Sequence, residues 1–171
     1  MQRAKAVSKI LYYITFILAV IYVGLTVYSA VCILTGWHID YYEDGKFIHI
    51  LYPFTAKTLM NIVNNTSYIL FEFFMPLSLY GLFFFLASNV FKVFHQPKLF
   101  TRYGIKQLQY FYLANWILPL GAILLAGIFA SVESFAFALA ITHFILGIFV
   151  YFLSAIFKQG LNLQNEQDLF I

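Results

Sequence analysis

The stretch from Ser134 to Phe157, SFAFALAITHFILGIFVYFLSAIF, carries no formal charge. As an α-helix it is long enough to cross the ~30 Å hydrocarbon core of a bilayer. Three further apolar runs, around residues 10–35, 68–91 and 108–131, have the same reach. Together the four leave room for one sizeable loop, 36–66, and a polar tail, 158–171. Backbone in hydrocarbon must satisfy its own hydrogen bonds, so each run is predicted to be helical even where β-branched and aromatic residues crowd it, as in ILYYITFILAVIYVGLTVYSAVCIL. A chain 63% apolar and only 10% charged is far from the composition of a soluble domain. The expectation is an all-α membrane protein: one domain over residues 1–171, an antiparallel four-helix transmembrane bundle with a small extracytoplasmic loop built of a β-hairpin and a short helix.

The charges give the orientation. Arg3, Lys5 and Lys9 precede the first span, Lys92, Lys98, Arg102 and Lys106 lie between the second and third, and Lys158 follows the fourth. The opposite side holds Lys46 and Lys57 with Asp40, Glu43, Asp44 and Glu133. By the positive-inside rule both termini are expected in the cytoplasm and the 36–66 loop outside. The first run has the basic start of a secretory signal, but it is about twice as long as a signal's apolar region and lacks a small-residue cleavage site, so it is expected to stay as an anchor. Lys98, Arg102 and Lys106 are placed to meet lipid headgroups, and bases so scattered make a poor track for nucleic acid. The single cysteine, Cys32, excludes an intramolecular disulfide and paired-thiol redox chemistry, and is expected to be a packing residue.

Local signals fill in the connections. Glu43-Asp44-Gly45 between WHIDYY and KFIHILY is a hairpin signature, and an Asp44-Gly45 turn sets Asp40 opposite His49 with His38 on the same face. Two histidines and one aspartate match metal-ligand spacing poorly, and a cross-strand ion pair is the plainer expectation, so no metal is assigned. After Pro53, Thr55 is expected to cap a short amphipathic helix through Val63. Thr101 is expected to cap the third helix, with Phe100 and Ile105 at hydrophobic-staple spacing. Ser131 to Ser134 is so short a link that the third and fourth helices must be antiparallel neighbours.

Three polar side chains lie within the spans and form the candidate ligand or proton site. Glu72 sits near the outer end of the second span, four residues before Pro76, whose missing N–H leaves the Glu72 carbonyl without its usual partner and predicts a kink. Asn115, in the third span, needs a partner in hydrocarbon and is expected to face another helix. His143, near the middle of the fourth, is far cheaper there as a neutral imidazole than as a charge, and Asn115 and Glu72 are its candidate partners. Ala122, Ala126 and Ala130 on the third helix, with Ala136 and Ala140 on the fourth, predict a narrow seam. No span carries a Ser-His, a Cys-His, an Asp pair or a His-x-x-x-His, so no nucleophile meets a base and neither an enzyme nor a cofactor is expected.

The cytoplasmic entry to the third helix, PKLFTRYGIKQLQYF, and the ending AIFKQGLNLQNEQDLFI carry a resemblance. The first is similar to a recurrent Phe-Thr, basic, Leu pattern, and the second to an aliphatic-Phe, basic, Gly, Leu run closed by Glu-x-Asp-Leu-x-Ile at Glu166, Asp168, Leu169 and Ile171. In these motifs, in length and in span count the chain resembles the small four-span bacterial membrane proteins grouped as domain of unknown function 2975. The resemblance implies a membrane partner for a small cytoplasmic helix-turn-helix transcriptional regulator. Leu163, Glu166, Asp168, Leu169 and Ile171 are the expected partner-binding tail, because apolar residues alternating with amides and acids suit docking on a protein. The leading expectation is a non-enzymatic sensor or regulator partner that contacts membrane lipids and is open to self-association. The alternative is a small proton-coupled transporter using Glu72 or His143.

Overall fold

A computed structural model describes residues 2–129 and 132–168, with the side chain of Asp168 outside that description. Helix α1 (Gln2–Thr35) leads into three strands, β1 (Ile39–Tyr42), β2 (Phe47–Leu51) and β3 (Thr58–Val63). A π-helical segment (Tyr68–Phe74) then continues without a break into α2 (Met75–Phe94), followed by α3 (Arg102–Phe129) and α4 (Ser134–Asp168). Four helices, Gln2–Thr35, Tyr68–Phe94, Arg102–Phe129 and Ser134–Gln167, are long and apolar enough to cross a membrane. Much of their large apolar surface faces outward, including Ile10, Ile17, Val20 and Val27 on α1 and Phe149 and Phe152 on α4. Outward apolar faces on spanning-length helices are the pattern of a multi-pass membrane protein.

Successive helices run antiparallel. Ser8 Oγ, near the start of α1, donates to the Phe91 carbonyl near the end of α2, and Tyr22 packs on Tyr80 and Phe84. One core joins α2, α3 and α4 through Ala87, Val90, Val93, Leu108, Phe111, Val150 and Phe157, while α1 packs along α2. This arrangement collects Arg3, Lys5, Lys9, Lys92, Lys98, Arg102, Lys106 and Lys158 at one end of the helices, the basic end, and leaves the sheet at the other.

At the sheet end the hairpin forms in the expected register, with Asp40 opposite His49. Lys46 N–H donates to the Glu43 carbonyl at 3.1 Å across Asp44 and Gly45, whose φ of 53° and 83° are those of a type I′ turn. Asn64 Nδ2 pins the turn by donating to the Gly45 carbonyl at 2.8 Å. The two histidines do not share a ligand cluster: His38 packs on Trp37, and His49 stacks on Tyr42.

The short helix expected from Thr55 to Val63 is not formed. Residues 58–63 are instead β3, paired antiparallel with β2 from Phe47↔Val63 to Leu51↔Thr58 with a bulge near Ile50. Thr55 belongs to a turn, where its N–H bonds the Tyr52 carbonyl and its Oγ1 accepts from Lys57 N–H. The helical pattern of Leu59, Ile62 and Val63 lost to a non-local term: without a third strand the inner edge of β2 would leave its backbone donors and acceptors unpaired. Ile48, Ile50 and Ile62 then bury one face of the sheet on Cys32, Tyr28, Ile69 and Phe73, and Tyr28 Oη donates to the Leu51 carbonyl at 2.6 Å. Cys32 is fully buried there as a packing residue.

The α3 cap forms as expected, with Gly104 N–H donating to Thr101 Oγ1 at 3.0 Å. Helix α4 does not stop where the sequence turns polar at Lys158, but continues to Asp168. Phe157 and Gly160 anchor this extension. The Phe100 ring lies against the Gly160 backbone, so close that a Cβ there would come within 2.8 Å, and Phe100 and Phe94 both meet Phe157 edge-on. The stretches PKLFTRYGIKQLQYF and AIFKQGLNLQNEQDLFI therefore touch at Phe100 and Gly160.

A candidate ligand cleft at the sheet end

Toward the basic end the three helices share a packed core, and toward the sheet end they enclose a cleft of about 440 Å³. Its walls come from the π segment and α2 (Glu72, Pro76, Tyr80, Phe83), from α3 (Asn115, Pro119, Ala122, Ala126), from Glu133 just before α4 and from the first turns of α4 (Ala136, Leu139, Ala140, His143). The alanines expected to form a narrow seam explain the space. Ala122, Ala126, Ala136 and Ala140 let α3 and α4 approach each other, but their short side chains leave the side facing α2 unfilled. Ala130 lies outside the described residues.

The π segment shapes the opposite wall. Pro76 has no N–H to offer the Glu72 carbonyl, and its ring would collide with that carbonyl in α geometry. Widening the preceding turns relieves both problems: Met75 N–H bonds the Leu70 carbonyl, five residues back. The kink expected at Glu72 and Pro76 thus takes the form of a seven-residue π-helix, Tyr68–Phe74. Asn65 Oδ1 starts the helix by accepting from Ser67 and Tyr68 N–H, and Phe71 stacks on Phe129 at 5.3 Å to tie the segment to α3.

At the floor of the cleft, His143 Nδ1 lies 2.7 Å from Asn115 Oδ1. The Asn115 amide donates from Nδ2 to the Phe111 carbonyl at 2.8 Å, which fixes its orientation and turns its oxygen toward the imidazole. A neutral His143 must then carry its proton on Nδ1, leaving the lone pair on Nε2. Phe83 meets the imidazole edge-on at 5.1 Å, and Tyr80 lies at 6.1 Å. Of the two partners expected for His143, the structure selects Asn115. Glu72 is exposed at the sheet end of the same cleft, so the three expected site residues line one space without forming one cluster.

Tyr80 and Phe83 complete the site without having been singled out from the sequence, and Glu133, expected only as one of the acids on the loop side, joins them. Glu133, the last residue of the four-residue link (130–133) between α3 and α4, lies at the same end as Glu72. Trp116 sets the depth of the α3–α4 contact: its Nε1–H donates to the Phe144 carbonyl at 3.2 Å and its indole lies directly on Gly147. No group of three or more His, Cys, Asp or Glu side chains able to hold a metal occurs among the described residues.

At the other end Lys98, Arg102 and Lys106 are exposed around the start of α3. Leu163 and Glu166 are exposed on the last turns of α4, and the remaining tail residues assigned from the sequence, Leu169 and Ile171 with the Asp168 side chain, lie outside the described residues. The family models, curated proteins and solved structures compared with this chain include none that matches it.

Proposed function

We propose that this chain is a non-enzymatic sensor in the bacterial inner membrane. In this reading it takes a small ligand into the cleft between α2, α3 and α4 and holds a small cytoplasmic helix-turn-helix regulator at the polar end of α4. The observation that carries the reading is the continuity of α4: one helix of 35 residues supplies Ala136, Leu139 and His143 to the cleft and ends in exposed Leu163 and Glu166. An unbroken helix is a rigid element, so a shift at its cleft end moves its far end as well. Eight of the ten basic residues gather at the end that bears this extension, which supports a cytoplasmic N-terminus and tail with the sheet outside. Lys98, Arg102 and Lys106 would then meet anionic headgroups. The resemblance in the FTR and FKQGL stretches supports the regulator as partner.

The reading is tested by photo-crosslinking from position 163 in native membranes, in the full chain and in one lacking residues 161–171. Trapping of a DNA-binding protein by the full chain only is expected. Equal recovery from both would refute the tail as the docking element.

The presence of Glu72 and His143 on one cleft favours proton-coupled transport as a second reading. It requires that substrate flux be lost in Glu72→Gln or His143→Ala; flux surviving both together would exclude it.

A further inference from the structure

The cleft has a polarity that selects among ligands. Its walls are apolar and aromatic, with Phe71, Tyr80 and Phe83 on one side and Leu118, Ala122, Ala126, Phe135 and Leu139 on the other. Two carboxylates, Glu72 and Glu133, stand at its sheet end, and among the described residues no lysine or arginine lines it. The imidazole at its floor offers an acceptor lone pair at Nε2, because Nδ1–H is committed to Asn115. We propose that the cleft binds a lipophilic organic cation: an apolar body of drug-like size lying between the helices, with its positive charge beside Glu72 and Glu133. This rests on the reading of the cleft as the ligand site.

Volume and lining fit this class. About 440 Å³ falls within the range of small-molecule pockets. Aromatic faces attract a cation as well as burying its hydrocarbon, and their attraction grows where water is excluded. An anion of the same shape, such as a fatty acid or an organic phosphate, would have to approach two carboxylates with no basic side chain to offset them. Both acids lie at the sheet end, where a cation arriving from the aqueous phase on that side meets them before it meets the apolar walls.

A matched pair of probes separates charge from shape. The purified full chain is placed in phosphatidylcholine nanodiscs, and binding of tetraphenylphosphonium and tetraphenylborate is measured by equilibrium dialysis against empty nanodiscs. The cation is expected to bind at least tenfold more tightly than the anion. Glu72→Gln with Glu133→Gln should weaken the cation by about tenfold and narrow the preference, and Leu139→Trp, which fills the space, should abolish binding. Thermal unfolding of each variant establishes that it is folded; the two exposed Glu→Gln changes carry the test if Leu139→Trp is not. Equal binding of both probes, as for a cleft that simply holds lipid chains, overturns the proposal. So does tighter binding of the anion, an unchanged cation affinity in the double Gln variant, or no protein-dependent binding. Crosslinking from position 163 in the double Gln variant keeps the two claims apart: recruitment of the regulator in cells whose protein binds no cation leaves the sensor reading standing with the ligand class refuted.

Discussion

Replacing Asn115 by leucine removes the acceptor that orients His143 while keeping the number and branching of side-chain heavy atoms. Asn115 is 3% exposed, and its amide is held between the Phe111 carbonyl and the His143 imidazole. The 2.7 Å bond joins two helices in a spanning segment, where such bonds contribute about 0.6 to 2 kcal/mol. Breaking it from one side also strands the other partner, at a cost of roughly 1–3 kcal/mol. Asn115→Leu leaves one imidazole nitrogen unpaired toward α3, and His143→Phe leaves Asn115 Oδ1 unpaired in a buried position. Each is expected to lose about 1–3 kcal/mol. The double variant strands neither group, so its loss should fall short of the sum by about 1–2 kcal/mol. Equilibrium unfolding of all four proteins in mixed micelles of rising dodecyl sulfate fraction, followed by circular dichroism, measures this coupling. Additivity within about 0.5 kcal/mol would refute the claim that the pair acts as a unit.

Gly147→Ala should destabilise by about 1–3 kcal/mol, although the same change in an unobstructed helix gains about 1 kcal/mol, because its methyl group meets the Trp116 indole; a shifted Trp116 emission in a Trp37→Phe background would accompany it, and a stabilised variant would contradict the packing. Thr101→Ala is expected to cost about 1 kcal/mol through loss of the cap on Gly104 N–H, while Thr101→Ser should stay within a few tenths, as read by the same unfolding assay. Pro76→Ala supplies the missing N–H to the Glu72 carbonyl and should return the last π turn to α geometry, with slower hydrogen exchange over residues 72–76; unchanged exchange there would show that another contact holds the π segment.

Several features were legible in the chain because their causes are local. Length and apolarity of four runs specify spanning helices irrespective of what they touch, Thr101 caps the helix that starts beside it, and Asp44-Gly45 makes the turn it encodes. The polar candidates were legible for a related reason: an amide and an imidazole in apolar runs must find acceptors and donors, and only a few existed. The register that joins Asn115 to His143 follows from a link too short to let α3 and α4 part.

Tertiary structure decided the rest. Residues 58–63 have a helical spacing of apolar side chains, yet they form β3 because β2 has an edge to pair and Cys32 and Ile69 offer a surface to cover. The alanines on α3 and α4 read as a seam, and they form a cleft because the third wall, the π turns before Pro76 and the α2 residues after them, is a segment whose position no pairwise pattern reveals. A sequence states what each residue requires of its surroundings, such as a hydrogen-bond partner, a cap or a lipid-facing side. Which requirement is met by which distant residue, and where space remains once all are met, depends on how the helices pack, and that is settled by the whole chain at once.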